Sequence, residues 1–312
     1  PLGSPPPGEI AVLSDLSDRV LRQRAGGEGL GLVIGPYQVR LKTRAPSLLR
    51  SLRLLYNDAP LSDDAFHDFH IDIAAPRGWL RPWRRQAVFG LDGLSTFEPL
   101  PEAHAPILFE WALNWCIATL AHDHVILHSA VLEKDGRAAL LPAPPGSGKS
   151  TLCAGMVAAG WRLLSDEMAL IGVTDGLLSP IPRPVSLKNA SIEVIRARAP
   201  QATFAPSIPG TPKGTIGLMR PPREAIARRT HRVAPAWILF PRWQAGAPLA
   251  LTPRPMASAT FDVLRNCYNL AVHGQAGFDR LADVVGGCAC FDLTYGDLDE
   301  ALERLAALAV AR

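Results

Sequence analysis

No run of apolar residues in this chain approaches the ~18 that a membrane-spanning helix requires, and no charged leader with a hydrophobic centre opens it. These two absences lead to the expectation of a cytoplasmic protein with no membrane partner. Cysteine is scarce: the chain has five, odd in number and scattered as Cys116, Cys153, Cys267, Cys288 and Cys290. That pattern argues against a disulfide framework and for a reducing compartment. Excess charge of one sign is lacking too. The formal net charge is only +3, which does not demand a nucleic-acid partner, and the locally basic runs RPWRR (81–85) and RRTHR (228–232) read as solvated surface arginines. Internal repeats and low-complexity tracts are absent.

What is present is length and apolar content. The chain has 312 residues, 48% of them hydrophobic, enough for two domains of ordinary size. Residues 1–8 are set aside as a tag-cleavage scar (PLGS) and a disordered start. A smaller α+β domain is expected over 9–119. Its elements are a β-rich stretch at 30–44, an amphipathic helix in APSLLRSLRLLYND, and strand-like FHDFHIDIAAPRG and QAVFGLDG around a Trp/Arg segment. That segment, RGWLRPWRR, sets two tryptophans among arginines, a composition suited to binding peptide or phosphate and also to a seam or oligomer interface, the latter being the preferred reading. A helix opened near Pro101 closes the domain, with Trp111 and Trp115 as packing residues.

The second domain is expected over 120–312. Residues 125–134 and 137–142 read as strands joined at Asp135-Gly136, a hairpin signal. A helix over 149–159 ends at Gly160, and WRLLSDEMALIGV reads as one strand. The proline- and glycine-dense 178–222 holds one helix and then a long mobile loop, FAPSIPGTPKGTIGLMRPP. The tail supplies strand VAPAWILFPRW, a helix around 257–270, a strand at 288–295 and a closing helix from Asp297. Cys288 and Cys290 share a face of that last strand, where buried packing outweighs a redox or metal role.

The sharpest chemical signal lies between the hairpin and the helix, in Ala143-Pro-Pro145-Gly146-Ser147-Gly148-Lys149-Ser150-Thr151. The pattern G-x-x-x-x-G-K-[ST] builds a cradle of backbone N–H groups for phosphate oxygens, with the lysine on the β/γ-phosphates and the serine on Mg²⁺. Ala143 stands where the first glycine is usual, and a methyl fits there if φ is negative. The motif therefore makes Pro145 to Thr151 nucleotide-binding candidates. Asp166 and Glu167 follow only 17 and 18 residues after Lys149, so one helix and one turn bring them back. One acid can hold Mg²⁺ while the other takes a proton from an incoming hydroxyl. Their strand is expected beside the loop strand, and neighbours on a strand face opposite ways, so the two acids should differ in role.

His128, 21 residues before Lys149, is by itself an ordinary strand histidine. With the spacing of Lys149 and the acids, however, this stretch resembles the catalytic domain of HPr serine kinase/phosphorylase and, more remotely, phosphoenolpyruvate carboxykinase. A closer resemblance is to the group of HPr kinase-related kinase A. It rests on PRGWLRPWRRQ, EWALNWCIA, LHSAVLEKDGRA, LPAPPGSGKSTL, RLLSDE, PRPVSLKN and GTPKGTIGLMRPP. The resemblance implies an α/β P-loop kinase core of the HPr kinase/carboxykinase type and a bacterial, ATP- and Mg²⁺-dependent serine-type kinase. It places His128 beside the loop, Lys149 and Ser150 on nucleotide and metal, and Asp166 and Glu167 as metal ligand and base. The family's second acid is usually aspartate, so Glu167 is a departure. A peptide or small-protein acceptor, an associated PqqD-type peptide-binding protein and a homo-oligomer are further implications.

Phosphoryl transfer also needs cations around the migrating group. Arg183 and Lys188 in PRPVSLKN and Lys213 in TPKGT are the candidates, Lys188 facing the phosphates and Lys213 closing on acceptor binding; ordinary surface residues are the competing reading. Asn189 or Ser191 can cap the helix that follows. Two rival functions remain: a small-molecule kinase of the same superfamily, acting for example on free serine, and a nucleotide-sensing module that transfers nothing.

Overall fold

The structure, a computed structural model, describes residues 11–76, 85–92 and 97–310. The expectations for residues 1–8 and for the Trp/Arg run over 77–84 lie outside the described residues. The chain is mixed α/β and divides into two compact units, Pro1–Cys116 with Thr203–Arg220, and Ile117–Ala202 with Pro221–Arg312. Thr203–Arg220 thus groups with the first unit and not with the residues on either side of it.

In the first unit α1 (Asp18–Gly26) is capped by Ser17, whose hydroxyl accepts the Val20 N–H at 3.3 Å. The β-rich stretch is a hairpin, β1 (Leu30–Ile34) and β2 (Tyr37–Thr43), turned at Gly35 with φ 61°. Strict alternation buries Tyr37, Val39, Leu41 and Thr43 while Arg40 and Lys42 face outward. Pro46 opens α2 (Pro46–Leu55), where its fixed φ suits a first helical turn. This helix is the crossover to β3 (Phe69–Ala74), which pairs parallel with β2. Then β4 (Gln86–Leu91) and β5 (Leu100–Pro101) complete a sheet in sequential order β1-β2-β3-β4-β5. The chain leaves through α3 (Ala105–Leu120), on which Trp115 packs edge-on against Phe89.

The second unit opens with β6 (His124–Lys134) and β7 (Arg137–Pro142), joined as expected at Asp135-Gly136. Both turn residues have positive φ, 51° and 79°, the geometry that matches the twist of a two-residue hairpin. Next come α4 (Lys149–Ala158), β8 (Arg162–Ser165), β9 (Met168–Gly172), β10 (Leu178–Ser179), β11 (Val185–Lys188) and α5 (Ala190–Arg198). The chain then forms β12 (Ile208–Thr211) and β13 (Gly214–Met219) in the first unit. It returns with α6 (Arg223–Ala227), β14 (Ala234–Trp243), β15 (Ala250–Pro253), α7 (Met256–Arg265), α8 (Leu270–Gly286), β16 (Ala289–Tyr295) and α9 (Leu298–Val310).

The main sheet runs β10-β9-β6-β7-β14-β16-β15, and β8 pairs with the far half of β6. The pairs β7·β14 and β14·β16 are parallel. Strand β7 is apolar and buried along nearly its whole length, as cover on both faces demands. Val125, Leu127, Leu140, Ile171, Ile238 and Leu281 share the core of the sheet. Beneath the sheet edge, Arg162 Nε meets Glu133 Oε2 at 2.6 Å, both side chains at or below 5% exposure. The remaining Arg162 donors reach the carbonyls of Arg228 and His231.

Three expectations are corrected. The stretch expected as one strand from 161 to 173 is two strands, broken at Asp166-Glu167 because the Ser165 hydroxyl accepts the N–H groups of Glu167 and Met168. The long loop after residue 203 contains the β12–β13 hairpin. There Gly210 and Gly214 supply positive φ, and Thr211 Oγ1 both donates to Gly214 O and accepts the Lys213 N–H. Finally, the helix expected over 257–270 ends at Arg265, and α8, kinked at Gly274, follows it.

Removing one partner of a buried ion pair leaves an uncompensated charge. Arg162→Met should therefore lower unfolding stability by about 3–5 kcal/mol in urea titration, and a loss under 1 kcal/mol would show that Glu133 finds other compensation.

Candidate functional site

The glycine loop connects β7 directly to α4, the order strand, loop, helix that its sequence predicts. Ala143 is buried at 3% exposure and does not have positive φ, so the methyl is accommodated where a glycine is usual. Gly146 and Gly148 both have φ 88°. At Gly146 a Cβ would meet nothing within 4 Å, so the backbone conformation alone calls for glycine. At Gly148 a Cβ would also lie 2.7 Å from Tyr295 Oη and 2.8 Å from Trp243 Cβ. The Ser147 hydroxyl is buried without a hydrogen-bond partner.

Lys149 is the first residue of α4 and is itself buried, at 7% exposure. Burial pulls its ammonium below the ordinary value, against the opposing pull of Glu167 and Asp166. Its Nζ lies 2.8 Å from His128 Nε2, and the same ring nitrogen lies 3.3 Å from Glu167 Oε2. The single ring nitrogen can serve only one of these neighbours at a time: Nε2 accepts from Lys149, or it carries the proton and donates to Glu167. Three of the four residues assigned catalytic roles from the sequence, Lys149, His128 and Glu167, therefore meet in one cluster, and Asp166 acts on it electrostatically.

The broken strand makes this meeting possible. The expectation that the acid strand lies beside the loop strand is incorrect, because β6 stands between β7 and β8. Strand β6 pairs with β8 through Val131–Glu133 and with β9 through His124–His128, and the two acids fall in the gap between these ladders. The Ser129 N–H donates to Glu167 O there at 3.2 Å. Out of regular alternation, both carboxylates act on the Lys149 ammonium.

Their environments differ nonetheless. Asp166 is 4% exposed, with Oδ2 accepting the Ser186 N–H at 3.1 Å and Oδ1 buried without a hydrogen-bond partner. Burial and then the Glu167 charge push its carboxyl up to about 6, against Lys149, the Ser186 N–H and the Ser150 hydroxyl. For Glu167, burial would also raise the carboxyl, but the His128 contact and the charges of Lys149, His128 and Lys188 outweigh it and hold it down at about 2.

Among the described residues no group of three or more His, Cys, Asp or Glu side chains is arranged to hold a metal ion. Mg²⁺ asks less of protein, one or two carboxylates with phosphate oxygens completing its shell. Asp166, with Oδ1 unpartnered and with its carboxyl under the influence of Ser150, fits that requirement.

Of the expected loop cations, Lys188 acts electrostatically on both Lys149 and Glu167. Arg183 is buried at 5% exposure. Lys213 belongs to the first unit, where its Nζ lies 5.2 Å from the Trp111 ring centroid. Asn189 makes no side-chain cap, whereas the Ser191 hydroxyl accepts the Lys188 N–H at 2.8 Å and donates to Lys188 O at 2.7 Å. The five cysteines are free, and burial raises the Cys288 and Cys290 thiols, away from thiolate reactivity.

Sequence reasoning missed Tyr268, whose ring centroid lies 5.9 Å from that of His128. Its segment runs beside β6 as a short bridge, with Tyr268 N–H on Ile126 O at 2.9 Å and His128 N–H on Asn266 O at 2.8 Å. Trp243 and Tyr295, at the ends of β14 and β16, were missed too; no motif marks them, and only the sheet order brings them to the loop. No protein-family model matches the chain, and no curated protein matches it.

A carboxyl whose folded value is raised binds its proton more tightly folded than unfolded. Asp166 therefore opposes folding increasingly as pH rises from about 4 through about 6, and fully above that. Asp166→Asn should make the free protein more stable at pH 7.5, on the order of 2–3 kcal/mol, with the gain vanishing near pH 4. A gain independent of pH, or a loss at pH 7.5, in denaturant titrations would count against this assignment.

Proposed function

We propose that the protein is an ATP- and Mg²⁺-dependent kinase with a P-loop core of the HPr kinase type, transferring the γ-phosphoryl group to a hydroxyl, a serine of a peptide or small protein. The observation that carries this reading is the convergence of the Lys149 ammonium, His128 Nε2 and the Glu167 carboxylate within 2.8 and 3.3 Å at the mouth of the glycine loop, with one Asp166 oxygen left unpartnered. The resemblance to HPr kinase-related kinase A points the same way.

In this reading the N–H groups at the start of α4 and the Lys149 ammonium bind the terminal phosphates. Ser150 and Asp166 would hold Mg²⁺, which neutralises charge on the phosphate oxygens when bound. Exposure separates the acids. Asp166, 4% exposed, is out of an acceptor's reach, whereas the Glu167 side chain is 28% exposed and faces His128. Glu167 is thus the residue to accept the hydroxyl proton, and His128 orients it. Lys188, already acting on Glu167 and Lys149, adds positive charge near the transferring group. A PqqD-type protein as presenter of the acceptor, and a homo-oligomeric assembly, rest on the family resemblance alone.

Incubation with γ-labelled ATP and Mg²⁺ tests the reading. Wild-type protein should release or transfer label, and Lys149→Ala and Asp166→Asn should each cut turnover by about 10²–10³-fold, with Glu167→Gln losing turnover while retaining nucleotide. Binding of ATP with no turnover in the wild type, across acceptor peptides, would favour a nucleotide sensor instead.

A further inference from the structure

We propose that Trp243 is the platform on which the base of the nucleotide stacks, an inference that rests on the nucleotide reading above. The direction of the bound nucleotide follows from the sheet. Lys149 points toward His128 and Glu167, on the β6 side of the loop strand β7. The terminal phosphate therefore lies on that side, and the nucleoside must leave the loop on the other, where β14 and β16 follow β7.

Chain connectivity points to the same place. From β7 the chain crosses through α4 to β8 on the β6 side, whereas from β14 it runs to the edge strand β15 and returns through α7 and α8 to β16, all on the opposite side. Two neighbouring parallel strands whose connections diverge leave a crevice at their carboxyl ends, and open α/β sheets bind ligands in that crevice. Trp243 is the last residue of β14, at the mouth of this crevice.

Its setting suits a fixed stacking surface. The Trp243 N–H donates to Ser147 O at 2.9 Å, tying the residue to the glycine loop. Its indole Nε1 donates to Gly296 O at 3.3 Å, which holds the ring edge. From below, Tyr295 Oη donates to Gly148 O at 3.3 Å. Despite these restraints the residue is 51% exposed, so a large aromatic surface is held open beside the loop. Stacking on such a surface is tolerant of base identity, so Trp243 should favour a nucleotide over a bare polyphosphate without choosing between adenine and guanine.

Calorimetric titration of the full chain with Mg·ATP and with magnesium tripolyphosphate tests this. The wild type should bind ATP more tightly than tripolyphosphate. Trp243→Ala should weaken ATP about tenfold, the scale of one lost base–aromatic contact, and leave tripolyphosphate within about twofold, while Trp243→Phe keeps most of the ATP affinity. Equal losses for both ligands, or no loss of ATP affinity in Trp243→Ala, overturn the platform and leave the kinase reading standing. A wild type that binds neither ligand overturns the nucleotide reading and the platform with it.

Discussion

A buried ammonium at the amino-terminal end of a helix is the constraint around which the second unit is organised. Burial disfavours the charged form of Lys149, and the helix dipole presents positive potential at that end. The opposing interactions come from Asp166 and Glu167, brought in from another part of the sheet, and from a ring nitrogen of His128. Such a cluster is electrostatically strained: burial and then the Glu167 charge push Asp166 upward while Glu167 is held down. Strain of this kind concentrates at sites of chemistry, and an anion received by the loop would take over part of the compensation that the acids provide.

Geometry at the sheet explains how adjacent residues can serve together. On a regular strand Asp166 and Glu167 would face opposite layers. Here the Ser165 hydroxyl takes two backbone N–H groups, the ladder on β6 changes partner, and the acids occupy the interruption. One carboxylate stays deep and accepts the Ser186 N–H, the other opens toward His128. The two acids therefore sit in different surroundings although they are neighbours in sequence, as the proposed division between metal binding and proton transfer requires.

Where a local rule decides the structure, the sequence was a good guide. Asp135-Gly136 makes the turn its positive φ values require, Gly146 and Gly148 bend the loop, and the helix begins at Lys149. The proximity of His128, Lys149 and Glu167 was expected from spacing and from the family resemblance together. The rest depends on contacts between distant segments. The strand break follows from one serine side chain and from a partner change on β6. The β12–β13 hairpin hides in proline and glycine that otherwise signal a loop, and α8 is masked by Gly274 and Gly277. Tyr268, Trp243 and Tyr295 reach the site through sheet order and a backbone bridge, for which a one-dimensional pattern carries no signal.

The proposed function requires that a lysine at a glycine loop and a pair of acids from an interrupted strand act on a single magnesium-bound triphosphate. A crystal structure of the protein with Mg²⁺ and a non-hydrolysable ATP analogue tests it most directly. The account predicts the terminal phosphates on Lys149 Nζ and the N–H groups of the loop, with the metal bound by Ser150 and Asp166 and Glu167 open to the acceptor side. An analogue bound away from the loop, or bound there with the acids making no direct or water-mediated contact to the metal, would contradict it.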